Sequence, residues 1–133
     1  MILVDSSVLI DVIERKKGWF DICAQALFEA RQLGALSINA MIYAEVSRSY
    51  NSVARMDEFL RSTSIQWLDL PKQAAFDAAR AHDAYRERGG QRDATLPDFF
   101  IGAHAKAAGL KLLTRDPRRI RTYFPDVDLI IPS

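Results

Sequence analysis

The sequence carries a single cysteine, Cys23, in 133 residues, so no intrachain disulfide can form. Cys23 lies in the helical-looking apolar stretch DICAQALF and reads as a buried, inert thiol. The chain does not open with a basic segment followed by an apolar one, so no signal peptide is expected. No apolar run is long enough to span a bilayer. The expected location is a reducing cytoplasm, with no membrane partner. Neither GxxxxGKS/T nor GxGxxG occurs, which leaves nucleotide-phosphate cradling unsupported. No motif marks a nucleophilic serine or cysteine. The two histidines, His82 and His104, share no metal-ligand spacing with each other or with Cys23. They read as helix-surface or satisfied core residues. Net charge is also lacking, at a formal +1.

That near-neutral total conceals local clustering. Arg115, Arg118, Arg119 and Arg121 crowd one segment, Arg15, Lys16 and Lys17 a second, and Arg86, Arg88 and Arg92 a third. Each run read singly is a solvated face. Three of them in a near-neutral chain place acidic residues together elsewhere, as in a carboxylate pocket rimmed by cations.

The length suits one domain over residues 1–133 with one core. Residues 1–4 form an apolar run ending at Asp5, which predicts a buried strand. Ser6 is placed to cap a helix to about residue 15, and Gly34 to stop a second helix over 19–33. Residues 36–38 predict a second strand. Asn39 caps a helix bearing Ile42, Glu45, Val46 and Tyr50, and Ser52 opens another to about residue 61. A third strand is expected at 65–68. Pro71 fits the first turn of an Ala-rich helix to about residue 88. A polar loop covers 91–95, and an apolar helix runs from 96 or 97 to 108. Strands at 111–113 and 129–131 flank a short helix begun by Asp116 and Pro117 and ended by Pro125. Short apolar strands alternating with helices predict an α/β fold with a central parallel sheet sandwiched by helices. In such sheets ligands bind beyond the carboxyl ends of the strands. Asp5 follows the first strand, and Thr114 and Asp116 follow the fourth, so they should share that edge.

Four acids stand at positions suited to chemistry. Asp5 ends a buried strand in ILVDSSVLID, a poor place for a surface salt bridge. Its bland alternative is a helix cap, which Ser6 or Ser7 could supply instead. Glu45, in NAMIYAEVSRSY, borders the buried face of its helix, where a carboxylate is costly unless paired or metal-bound. Pairing with Arg48 is its bland alternative. Asp98, in LPDFFIGAHA, occupies a first helical turn, where the macrodipole already favours acid. Asp93 is a competing acid in the preceding loop. Asp116 is equally able to cap a helix. Carboxylates that converge repel one another, and a hard divalent cation with oxygen ligands relieves this. Such a site polarises a phosphoryl oxygen and activates water for in-line attack on a phosphodiester. Thr114 is placed to bond a nearby carboxylate or water.

These residues resemble a known family. ILVDSSVLIDVI looks like the opening of PIN domains, YAEVSR resembles the helix carrying their glutamate, and LPDFFIGAHAKAAGLKLLTRDPRRIRTYFP resembles their C-terminal half. The small size is similar to VapC-type toxins of toxin–antitoxin pairs. The resemblance implies that Asp5, Glu45, Asp98 and Asp116 are the catalytic, metal-binding acids, with Ser6 and Thr114 in support. It implies an endoribonuclease using Mg²⁺ or Mn²⁺ that leaves a 3′-hydroxyl and a 5′-phosphate. It also implies a homodimer and inhibition by an antitoxin covering the active-site groove. Arg115 and Arg118, flanking Asp116, are the expected contacts to RNA phosphates or to antitoxin acids. Other readings fit less well. A haloacid-dehalogenase-type phosphatase wants a second Asp two residues after the first, where Ser7 stands. A receiver wants paired early acids and a Lys where Thr114 stands. A PIN domain that has lost catalysis would not keep all four acids. A non-toxin PIN nuclease in RNA processing would carry the same site.

Overall fold

Three consecutive buried apolar residues, Ile2 to Val4, suit only a strand covered on both faces. In the structure, a computed structural model that describes residues 1–89 and 96–133, they form β1 (Ile2–Val4). β2 (Leu36–Ile38) is as fully buried, and β4 (Lys111–Leu113) is buried except at Lys111. β3 (Gln66–Trp67) and β5 (Leu129–Ile130) complete a five-stranded sheet in the order β3-β2-β1-β4-β5. Every pairing is parallel, with Ile2 opposite both Leu36 and Lys111.

Seven helices flank the sheet among the described residues: α1 (Ser6–Ile13), α2 (Phe20–Leu33), α3 (Ala40–Ser47), α4 (Val53–Ser62), α5 (Lys72–Glu87), α6 (Leu96–Ala108) and α7 (Arg118–Tyr123). No helix among those residues is long and apolar enough to cross a membrane. Asn39 and Ser52 do cap α3 and α4, accepting from the Ile42 and Arg55 N–H groups. α1 differs from expectation at both ends. Asp5, not Ser6, holds its N-cap position, and the helix stops at Ile13, because Arg15 turns to φ 50°. Pro71 precedes α5 instead of lying in its first turn, and Pro117 does the same for α7. The expected polar loop at 91–95, together with Gly90, Arg92 and Asp93, lies outside the described residues.

The strand order creates the feature that matters for function. The chain builds outward from β1 through β2 to β3, then crosses back to place β4 on the other side of β1. β1 and β4 therefore flank a topological switch point, where ligands of parallel sheets bind beyond the carboxyl ends. Asp5 leaves one strand there and Thr114 the other, and the Asp5 N–H donates to the Leu113 carbonyl at 2.9 Å.

Helix α7 docks on α6 through a glycine. A Cβ placed on Gly102 would lie 2.5 Å from Phe124 Cδ2 and 2.9 Å from Ile120 Cδ1. Gly102→Ala is therefore expected to lower stability by about 1–3 kcal/mol, despite alanine's higher helix propensity. Thermal unfolding measures this, and an unchanged or higher melting temperature would show that α7 does not need this close approach.

Candidate active site

Asp5 sits at the N-cap of α1, yet its side chain makes no capping bond. Hydroxyls hold the carboxylate instead. Thr114 Oγ1 donates to Oδ2 at 2.7 Å and Ser7 Oγ at 3.2 Å. Ser6 Oγ lies between two acids, 3.1 Å from Glu45 Oε1 and 3.4 Å from Asp5 Oδ1. Its single proton goes to the nearer oxygen, and the hydroxyl separates the two carboxylates by one atom.

Burial pushes the Asp5 carboxyl above the ordinary aspartate range, against the lowering effect of the Thr114 and Ser7 hydroxyls and the Ser6 backbone N–H, and the charge of Asp98 adds to the rise. Glu45 is raised for the same reasons. Burial is its largest cause, the Ser6 hydroxyl opposes it, and the charges of Asp5 and Asp98 reinforce it. Asp5, Glu45 and Asp98 thus feel one another, although they come from β1, α3 and α6. Asp98 also meets a cation, with Arg119 Nη1 4.0 Å from its Oδ2. The Arg119 guanidinium lies over the rings of Tyr85 and Phe99, at 5.5 and 6.0 Å to their centroids.

The fourth acid is tied in through the backbone. The Asp116 N–H donates to Thr114 Oγ1 at 3.1 Å, and the same hydroxyl donates to Asp5. One threonine therefore sets the loop after β4 against the end of β1. The Asp116 side chain is exposed and lines an open groove of about 850 Å³ with Arg118, Arg119, Arg121, Tyr85 and Tyr123.

Arg115, directly before Asp116, and Arg118, two residues after it, are placed differently. Arg118 is exposed at the groove. Arg115 turns inward, pairs through Nη1 with the buried Asp11, and lies 4.2 Å over the Trp19 ring.

The donor set favours a hard cation. It consists of carboxylate oxygens with hydroxyls alongside, and the acids are held in a partly buried setting that disfavours their charge. Among the described residues no group of three acids, histidines or cysteines stands close enough to enclose a cation. Asp5 and Glu45 are the pair already joined through a side chain, the charge of Asp98 reaches both, and Asp116 is linked to them only through its backbone N–H on Thr114.

A domain model covers nearly the whole of this arrangement: the PIN domain matches residues 2–125. The chain belongs to the PIN domain family. No curated protein matches it. Solved structures of similar fold include VapBC2 from Rickettsia felis bound to a promoter DNA fragment, at 16% identity and a TM-score of 0.73, with 100% of each chain covered. VapBC-1 from nontypeable Haemophilus influenzae is similar at 13% identity and a TM-score of 0.72, covering 98% of both chains. A toxin–antitoxin complex from Klebsiella pneumoniae is similar at 21% identity and a TM-score of 0.68, covering 100% of this chain and 98% of the other. At such identities the likeness is one of fold.

Several side chains of this PIN domain escape a reading of the sequence. Ser7 reads as a spare cap but holds Asp5. Arg119 reads as one charge in a basic run but faces Asp98. Asp11 reads as part of a helix, although its place three residues after Val8, on the apolar face, was a signal that it needs a partner. Asn39 reads as a cap, and its second bond, to His104 at 3.0 Å, joins residues far apart in the chain.

Crowded acids predict a stability effect. A carboxyl whose folded pKa is raised adds stability while protonated, and that contribution is lost as pH rises through the folded value. At neutral pH without divalent metal, Asp5→Asn is therefore expected to raise the melting temperature by a few degrees. The advantage should shrink on acidification, as wild-type Asp5 takes up its proton. An unfolded or strongly destabilised variant would mark Asp5 as a structural residue.

Proposed function

We propose that this PIN domain is a metal-dependent endoribonuclease and the toxin half of a toxin–antitoxin pair. The observation that carries the reading is the treatment of Asp5. It stands at the sheet's switch point, where the Thr114 and Ser7 hydroxyls donate to it, while the helix beneath goes without a side-chain cap. A structural Asp would cap the helix.

In this reading Asp5, Glu45, Asp98 and Asp116 hold Mg²⁺ or Mn²⁺, and closing on the ion relieves their mutual repulsion. The ion supplies polarisation of the scissile phosphate and an acidified water, and hydrolysis leaves a 3′-hydroxyl and a 5′-phosphate. The chain's own residues do the positioning. Thr114 orients Asp5 and fixes the Asp116 backbone, and Ser6 keeps Asp5 and Glu45 apart. The groove beside Asp116 offers Arg118, Arg119 and Arg121 to the RNA backbone. Because Arg115 is engaged with Asp11 and Trp19, the phosphate contact falls chiefly to Arg118.

Antitoxin control follows from the same electrostatics. Arg119 stands beside Asp98 within the chain, which supports a guanidinium as a stand-in for metal charge. An antitoxin Arg or Lys placed over the acids would compete with the ion and block the groove. The similar folds solved as VapBC and toxin–antitoxin complexes support such a partner. The proposal includes a homodimer in the cytoplasm.

Purified protein is expected to cleave single-stranded RNA with Mg²⁺ or Mn²⁺ and to stop in EDTA. Arg118→Glu should weaken binding to all RNA sequences and flatten the salt dependence by about one phosphate contact. Full cleavage by chelated protein without added metal would overturn the metal assignment. Unchanged RNA and antitoxin affinity in Arg118→Glu would return the groove to ordinary surface.

A further inference from the structure

Helices α3 and α6 each bring one acid to the site, Glu45 and Asp98. Their carboxylates repel, and both helices pack into one apolar core, so the contacts between them set the spacing at which the acids meet a cation. A polar link between the two helices lies wholly inside the protein. Asn39 and His104 are both buried, at 0% and 1% exposure. The Asn39 amide and His104 Nδ1 lie 3.0 Å apart.

The direction of this bond follows from its neighbour. Asn39 Oδ1 already accepts the Ile42 N–H at 3.0 Å, so the amide turns its Nδ2 towards the ring. His104 Nδ1 must then accept, which leaves the ring proton on Nε2. Burial favours this neutral ring, holding the His104 pKa below its ordinary value. Asn39 thus starts α3 and grips α6 with the same side chain. Asn39 stands six positions before Glu45, and His104 six positions after Asp98. On each helix the neutral link is about 9 Å along the axis from the acid.

We propose that the Asn39–His104 hydrogen bond is a positioning device that sets the spacing of Glu45 and Asp98 for the divalent cation. The proposal rests on the metal-dependent reading above. Neither residue touches the ion. Both act through the backbone of ligand-bearing helices, one step further out than the partners bonded directly to metal ligands, whose loss weakens metal binding about 10- to 100-fold, so the low end of that range is expected.

Substitutions can separate the link from the helix cap. Asn39→Ser keeps an oxygen to accept the Ile42 N–H, so α3 keeps its cap while the bond to His104 is lost. His104→Leu removes the acceptor and keeps the bulk. His104→Asn restores an acceptor near the position of Nδ1. Mn²⁺ affinity of the full chain is measured by titration calorimetry, with circular dichroism and thermal unfolding recorded alongside. Folded Asn39→Ser and His104→Leu are expected to bind Mn²⁺ about 10-fold more weakly, and His104→Asn within about threefold of wild type. If His104→Leu does not fold, the capped Asn39→Ser variant decides. Wild-type Mn²⁺ affinity in folded Asn39→Ser would overturn the positioning role and leave the nuclease reading intact. Failure of the wild-type chain to bind Mn²⁺ would overturn the metal reading, and this role with it.

Discussion

Expressing this chain without a partner is expected to arrest bacterial growth, and changing any one of the four acids to alanine is expected to release it. The size of the effect follows from what the acids do together. A cation at a phosphodiester supplies several kcal/mol of charge stabilisation in the transition state. At about 1.4 kcal/mol per tenfold, losing most of it slows cleavage by about 10²- to 10⁴-fold. Asp5→Ala should lie at the severe end, because Asp5 is central to the hydroxyl network and next to both Glu45 and the Thr114 loop. Asp98→Ala should follow closely, since the Asp98 charge reaches both Asp5 and Glu45. Asp93→Ala should keep most of the toxicity. The measurement pairs growth curves with mapping of new RNA 5′ ends after induction.

Each outcome bears on a different layer of the proposal. Harmless expression of folded wild-type protein, with no antitoxin present, would remove the toxin role. Loss of toxicity in Asp93→Ala but not in Asp98→Ala would move the third ligand into the preceding loop. Toxicity surviving Asp5→Ala would end the metal-site reading. Rescue by a co-expressed antitoxin, lost when its Arg or Lys over the acids is removed, would support a cationic plug in place of metal.

The outline of the fold was open to sequence reasoning because its elements announce themselves locally. A three-residue buried strand, an Asn or Ser before an apolar helix, and a glycine after one are all short-range signals. The strand-end argument likewise needs no more than parallel topology to set Asp5 beside Thr114, and the structure places them 2.7 Å apart. What stayed hidden depends on partners distant in the chain. Asn39 is legible as a cap, because its first bond reaches three residues ahead, but its second reaches His104. Ser6 looked like the cap of α1. The chain turns into the helix one residue earlier, and the Thr114 and Ser7 hydroxyls hold the Asp5 carboxylate away from the helix end. Arg115 seemed equivalent to Arg118, because sequence shows both as neighbours of Asp116 and does not show which way each side chain turns.

That difference between two arginines leads to the largest stability effect expected of a surface-looking residue. Asp11 is buried, and its carboxylate meets the Arg115 guanidinium and, at 3.7 Å, the Cys23 thiol. The guanidinium also covers Trp19, and the Arg115 N–H donates to Ser7 Oγ at 3.4 Å. One side chain thereby ties α1, the start of α2 and the loop after β4. Arg115→Ala would leave a buried carboxylate with no cation, a change that costs about 3–5 kcal/mol where an ion pair is broken from one side. For a domain of this size that lowers the melting temperature by roughly 10 °C or more. Arg118→Ala, at the exposed rim of the groove, should stay within about 0.5 kcal/mol of wild type. The double variant Asp11→Leu with Arg115→Met should recover much of the loss, since it removes both charges and keeps apolar bulk between α1 and Trp19. If Arg115→Ala melts like wild type while its RNA affinity falls, the side chain serves the groove after all, and the loop bearing Thr114 and Asp116 is held by other contacts.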